Sequence, residues 1–311
     1  MPENKPERIA AIVVTHNRKQ LLGECIGSLL RQSRPPDALF VIDNASTDGT
    51  CEALLDEPRR AAARDVEMHY VRMPENVGGA GGFAEGMRQA AGAGFDWLWL
   101  MDDDVLAAPD ALDVLVRRKE QLQAARNEPF ILNSLVLARD LSDGDSLAFP
   151  LRELSAGGSP RMGAFHWRLS EVPHMVHDGL YRWICPFNGT FVPARAVTEV
   201  GPPRKEFFIY GDETDFQFRA AKTFRLYTVV DSRVFHPRPQ PGAFDWKQYY
   251  GIRNMFIVNR HFDHPTLRNV KLVLTGLTMG LRNGPRGMKL MLRAIRDGLA
   301  GRLGKRDDLD S

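Results

Sequence analysis

Residues 8–43 read RIAAIVVTHNRKQLLGECIGSLLRQSRPPDALFVID. The β-branched run RIAAIVV (8–14) has the continuous apolar character of a strand buried on both faces, and it halts at Thr15-His16-Asn17. Over 19–32, Leu21, Leu22, Cys25, Ile26, Leu29 and Leu30 share one helical face until Pro35-Pro36 ends the helix. A second apolar run, 38–42, enters the turn NASTDGT and a helix over about 49–63. Strand, helix, strand, helix predicts an α/β fold with a mostly parallel sheet, right-handed crossovers and flanking helices.

The pattern repeats downstream. A third strand, VEMHYVR (66–72), runs into the glycine-dense PENVGGAGGFAEGMRQA, which opens a helix to about 92. A fourth, DWLWLM (96–101), meets Asp102-Asp103-Asp104 directly. Each polar cluster follows the C-terminal end of a strand, where ligand sites of open parallel sheets gather. Beyond them the sequence predicts a helix over 109–125, a strand over 129–138 and long loops through 140–180. A strand and turn over 183–193, a short helix over 194–200 and a loop with helix over 207–223 come next. The last strand, 225–239, carries His236, and a helix runs to about 261. Two basic amphipathic helices, 266–281 and 285–301, complete the chain. The expected domain layout is a body over 1–265 and a helical tail over 266–311.

With 311 residues, 43% apolar and 26% charged, the chain is an ordinary globular sequence, which excludes disorder, collagen and coiled coil. The net charge of +2 argues against a broadly basic nucleic-acid binder. That balance is local: residues 268–311 hold ten Lys or Arg against four Asp or Glu, net +6, and residues 1–267 stand at −4. Three cysteines (Cys25, Cys51, Cys185) without C-x-x-C spacing predict reduced thiols and no zinc site. No apolar run reaches the ~20 residues a membrane span requires.

The carboxylate triplet carries the most chemical information. Three acids at the end of a buried strand concentrate like charge that a hard divalent cation neutralises well. The triplet alone fits a solvated turn, or a helix cap at Asp104, equally well. NVGGAGG (76–82) offers backbone N–H groups at a helix start, suited to a phosphate, or else simply tight packing of helix on strand. GDETDF (211–216) adds Asp212, Glu213 and Asp215, either dipole partners of a helix N-terminus or the seat of a general base. His236 is a candidate metal ligand or a core histidine.

VVTHNR, VIDNASTDGT, ENVGGAGGFAEGM, WLWLMDDDV, FNGTFVPARAV, FFIYGDETDF and VFHPRP stand here in the order found in inverting family-2 glycosyltransferases of the GT-A fold, which the chain resembles over residues 8–260. The NxGGAGGF and DDD pair looks most like the bacterial galactofuranosyltransferase branch. The resemblance implies Mn²⁺ or Mg²⁺ held by Asp102, Asp104 and His236, with Asp103 towards the nucleotide. It implies that Thr15, Asn17, Arg18 and Asp43 hold base and ribose, and that Asn76, Gly78 and Gly79 lie next to ribose and phosphate. A nucleotide-sugar half (1–105) would then precede an acceptor and catalytic half (106–265). In the second acidic motif the family's base is the second acid of a pair, here Glu213 where Asp is commoner, so Asp212 stays a rival.

Implied partners are a UDP-sugar donor, UDP-galactofuranose foremost, and a glycan or polyprenyl-linked acceptor. Trp183 and Tyr210 are the aromatic candidates for contact with acceptor sugar. Tyr249, Tyr250 and Arg253 resemble a YYxxRN block of related transferases, and packing is their expected role. The tail stripes Leu267, Val270, Leu274, Leu277, Leu281 and Met288, Met291, Leu292, Ile295, Leu299 suit peripheral contact at the cytoplasmic face of a membrane. They equally suit packing on the body or on a second subunit of a homo-oligomer. Rival functions are a rhamnosyltransferase using dTDP-rhamnose, a nucleotidyltransferase, and a non-catalytic sugar-nucleotide-binding module.

Overall fold

The computed structural model describes residues 6–54, 61–62, 64–125, 128–140, 143–155, 158, 160–185, 187–238 and 244–309. β1 (Ile9–Thr15), β2 (Ala38–Asp43), β3 (Glu67–Arg72) and β4 (Trp97–Asp102) pair in parallel in the order β3-β2-β1-β4. Every residue of β1 and β2 is buried, as continuous apolar strands covered on both faces require. Alternate β1 residues serve two cores. Ala10, Ile12 and Val14 face the side covered by α3 (Gly78–Gly92), while Ile9, Ala11 and Val13 face α1 (Lys19–Leu30). Of the helix expected over 49–63, α2 covers Thr50–Ala53, and 55–60 and 63 lie outside the described residues.

The sheet continues through β11 (Asn188–Pro193), β6 (Phe130–Ala138) and β12 (Arg225–His236), then β10 (Leu180–Tyr181) and β9 (Val176–His177). β11 is antiparallel to both β4 and β6, so the parallel run is broken once in mid-sheet. The two-residue strand β5 (Leu106–Ala107) follows the acidic triplet and pairs antiparallel with the end of β12, Leu106 opposite Phe235 and Ala107 opposite Val234. α4 (Ala111–Ala125) covers the sheet beside it.

One expectation fails outright. The supposed loops over 140–180 contain a hairpin, β7 (Ser146–Leu154) and β8 (Pro160–Arg168). Its pairing slips register twice, and it carries Pro150 and Gly163, so apolar and polar residues do not alternate cleanly and the period-2 signal is lost. Smaller shifts are ordinary end effects: the last strand stops at His236, and the short helix α5 spans Ala196–Glu199.

The tail divides into two unlike helices. α9 (Gly284–Leu299) packs Met291, Ala294 and Ile295 against Tyr249, Tyr250 and Phe256 of α7 (Lys247–Val258), making it part of the body. Gly298 permits the approach, since a Cβ there would lie 2.3 Å from the Phe256 ring. Asp297 is buried among the Tyr249 hydroxyl, 2.8 Å away, and the guanidinium of Arg306, also 2.8 Å away. The YYxxRN block is thus a packing element, as expected. α8 (Pro265–Arg282) buries only Gly276 and Gly280 fully, and Leu267, Val270, Leu274 and Leu281 stand exposed. No helix among the described residues is long and apolar enough to cross a membrane.

Candidate active site

β4 delivers the triplet. The Asp102 N–H donates to the Phe187 carbonyl at 3.1 Å, and the chain turns so that Asp103 faces Thr15 and Arg18. Asp103, 3% exposed, accepts from the Thr15 hydroxyl at 2.7 Å and from Arg18 at 3.1 Å. Arg18 also donates to Asp104 at 2.9 Å. The β5–β12 pairing carries His236 to the same spot, with its Nε2 3.2 Å from Asp104 Oδ1. Ligand atoms of Asp102, Asp104 and His236 all lie within 4.8 Å of one another.

The donor set fits a divalent cation. His236 Nδ1 sits 2.5 Å from the Pro237 carbonyl, which can only accept, so Nδ1 donates there and Nε2 is the nitrogen turned to Asp104. Asp104 Oδ1 is buried without a hydrogen-bond donor. Burial opposes the Asp104 charge, but the neighbouring His236 and Arg18 hold its carboxyl below the ordinary range, which leaves it ready to ligate a cation. The Asp102 carboxyl is pushed well above the ordinary range by burial first, then by Asp104, Asp103 and Glu213. That is surplus negative charge of the kind a metal ion relieves.

The opposite wall is the start of α6 (Asp212–Ala220). The preceding residues Phe208, Tyr210 and Gly211 all have positive φ, at 68°, 63° and 87°, a strained approach that needs anchoring. Asn254 supplies it: its Nδ2 lies 2.8 to 3.0 Å from the carbonyls of Phe207, Ile209 and Tyr210. Asp212 and Glu213 both face the cavity. Burial, and then Glu213, raise the Asp212 carboxyl well above the usual range. Glu213 Oε2 is buried without a partner. Asp215 is drawn elsewhere, to Arg219 at 2.8 Å and His261 at 3.0 Å, and is structural.

The cavity between the walls measures about 1040 Å³. Of the residues singled out in the sequence, Arg18, Gly79, Asp102, Asp104, Trp183, Tyr210, Asp212, Glu213 and His236 line it. Thr15, Asn17, Asp43, Asn76, Gly78 and Asp103 are not among its lining residues. Asn17, at φ 53°, accepts from the Thr47 N–H at 2.7 Å, and Asp43 accepts from the Ser46 N–H at 2.8 Å, which stitches the first two strand ends together. Trp183 is 8% exposed and packs edge-on to Phe218, whereas Tyr210 is half open at 49%.

The glycine loop is only partly what its sequence suggests. The Gly78 N–H donates to Asn76 Oδ1 at 2.9 Å and the Ala80 N–H to the Phe208 carbonyl at 3.2 Å. A Cβ on Gly78 would lie 2.0 Å from that carbonyl, and one on Gly82 would lie 2.5 Å from Val14. Gly78 and Gly82 therefore serve close packing, and Gly79, with open space around it, is the one at the cavity. Sequence reasoning missed Arg152, Arg268 and Lys271 on the lining and Asn254 behind it. Arg152 lay in the supposed loops, no local motif marks Arg268 or Lys271, and Asn254 is the last residue of the YYxxRN block, which was read as packing.

The Glycosyl transferase family 2 description matches residues 10–125. Galactofuranosyltransferase GlfT1 of Mycobacterium tuberculosis (strain ATCC 25618 / H37Rv) is 34% identical over 235 residues, spanning 74% of this chain and 70% of its own. Among solved structures, S. aureus TarS 1–349 in complex with UDP aligns at TM-score 0.56 and 13% identity, over 94% of this chain and 80% of its own. Mannosyltransferase PcManGT from Pyrobaculum calidifontis, in complex with GDP-Man and Mn2+, aligns at TM-score 0.55 and 18% identity, over 96% and 77%. At such identities these structures speak for the fold, which is the GT-A glycosyltransferase fold.

Proposed function

The chain belongs to glycosyltransferase family 2, and on that footing we propose that it is an inverting, divalent-metal-dependent galactofuranosyltransferase, moving the sugar of UDP-galactofuranose to a lipid-linked or cell-surface glycan. Family membership removes the ground for a nucleotidyltransferase. The observation that carries the reading is the convergence of Asp102, Asp104 and His236 on one point, with the unpartnered Glu213 oxygen on the facing wall.

Bound by those three side chains, Mn²⁺ or Mg²⁺ would supply Lewis-acid stabilisation of the leaving diphosphate. Arg18, fixed by Asp103 and Asp104, and the strand-end residues Thr15, Asn17 and Asp43 hold base and ribose, with Asn76, Gly78 and Gly79 beside the ribose and phosphate. Glu213 takes the proton of the acceptor hydroxyl as its oxygen attacks the anomeric carbon. The bond to the diphosphate breaks on the opposite face, so configuration inverts. Trp183 and Tyr210 give the acceptor sugar an apolar platform. Residues 1–105 serve the donor, 106–265 the acceptor, and the exposed α8 stripe meets the cytoplasmic face of a membrane.

Product analysis tests this directly. UDP-galactofuranose with Mn²⁺ and a short synthetic acceptor is expected to give a product of inverted configuration, with dTDP-rhamnose inert. Transfer from dTDP-rhamnose alone would overturn the donor assignment; sugar-nucleotide binding without turnover on any acceptor would make the chain a binding module.

A further inference from the structure

Helix α6 carries polar side chains of two kinds. Asp215 and Arg219 are tied down: Asp215 pairs with Arg219 and His261, and the Arg219 guanidinium also donates to the carbonyls of Val200, at 2.6 Å, and Pro202, at 2.9 Å. Gln217 is not. Only 7% exposed, it lines the cavity one helical turn beyond Glu213, and its Oε1 is buried without a hydrogen-bond donor. Among the described residues, no hydrogen bond reaches either end of its amide. Its backbone carbonyl is engaged, accepting from the Ala221 N–H at 2.8 Å, so the unmet need belongs to the side chain alone. Asn259, another amide on the same lining, does not meet it, because its Nδ2 donates to Asn269 at 2.9 Å.

A buried amide without a partner costs stability, whereas a Leu or Met of similar size costs nothing of the kind. Folding therefore gives no reason for Gln217, and a ligand group does. The amide is neutral, with two N–H donors and one accepting oxygen, which suits a hydroxyl that both donates and accepts. Glu213 and Gln217 stand at i and i+4 of one helix face, about 5–6 Å apart at Cβ, within reach of two hydroxyls of a single sugar.

Resting on the transferase reading above, we propose that Gln217 determines acceptor specificity: its amide hydrogen-bonds a hydroxyl of the acceptor sugar beside the one whose proton Glu213 takes. Gln217 moves no proton itself. It fixes which hydroxyl meets Glu213, and a sugar lacking the recognised hydroxyl leaves the amide unpaired and is rejected.

A cycle of two changes, one in the enzyme and one in the acceptor, tests this. The variant is Gln217→Met, which keeps the length of the side chain and removes both polar atoms. The probes are the short synthetic acceptor of the product analysis and its monodeoxy analogues, at saturating donor and Mn²⁺. With the parent, one analogue that still carries the reacting hydroxyl is expected to lose about tenfold in kcat/KM. Gln217→Met is expected to lose about tenfold on the full acceptor and to handle that analogue no worse than the full acceptor. The donor KM should stay within about twofold, and the melting temperature should not fall, since an unpaired buried amide has been removed. Losses that simply add between enzyme and acceptor overturn the assignment, as does a variant that uses the full acceptor like the parent. In both cases the parent still transfers, so the transferase reading stands. A parent that transfers to no acceptor fails that reading first, and this one with it. Gln217→Leu replaces Gln217→Met if the latter does not fold, with the same outcomes; failure of both to fold makes Gln217 a structural residue and overturns the assignment equally.

Discussion

Asp104 and His236 face each other at 3.2 Å although two strands separate β4 from β12 in the sheet. The two-residue strand β5 folds back from the triplet and pairs with the end of β12, which closes that gap. The candidate metal site is therefore assembled by strand pairing, β5 on the end of β12.

If these ligands hold a divalent ion, Asp104→Ala and His236→Ala should each weaken Mn²⁺ binding by at least about tenfold, while thermal stability in EDTA changes little. Calorimetric Mn²⁺ titration reads the first and a melting curve the second. Undiminished Mn²⁺ affinity in both variants would falsify the site.

Glu213→Gln should lower kcat by roughly 10²–10⁴ with donor affinity kept within about twofold, as expected for loss of a general base. Asp212→Asn should cost far less, because on this reading Glu213 and not Asp212 takes the proton. A reversed order of the two variants in steady-state kinetics would move the base back by one residue.

Gly78→Ala and Gly79→Ala separate packing from cavity lining. At Gly78, with φ 72°, the new methyl would meet the Phe208 carbonyl at 2.0 Å, and a loss of about 2–4 kcal/mol in urea unfolding is expected. At Gly79 there is open space, so stability should stay within about 0.5 kcal/mol, and any effect should be on UDP affinity instead.

Asp297 supplies a pH-dependent contribution. Burial opposes its charge, but the Tyr249 hydroxyl and Arg306 outweigh burial and hold its pKa below the ordinary carboxyl value. A depressed folded-state pKa stabilises fully above the unfolded value, about 3.9, and the contribution fades as pH falls through the folded value. Asp297→Asn should therefore lower the urea midpoint at pH 7 and converge with the parent below about pH 4. A constant gap between the two curves down to pH 3 would show that the effect is steric.

Much of the fold was legible because β1, β2 and β4 are continuous apolar runs that end in polar clusters, a pattern set by burial on both faces. The triplet, His236 and the second acidic motif were legible as chemistry through residue type and order. The hairpin Ser146–Leu154 with Pro160–Arg168 was not, because slipped register and mixed exposure erase its period. Nor was the division of the tail, since both helices are amphipathic and it is the packing of Met291, Ala294 and Ile295 with Tyr249, Tyr250 and Phe256 that covers α9.

By itself the sequence determined which segments must be buried and which side chains can bind metal, phosphate or a proton, since both depend on local polarity and residue chemistry. Only the tertiary structure decided that Asp103 turns to Thr15 and Arg18 while Asp104 turns to His236. It also decided that Gly78 packs while Gly79 lines the cavity, and that Arg152 and Arg268, remote in sequence, both line it. Those are distances between residues remote in the chain, fixed by strand register and helix packing.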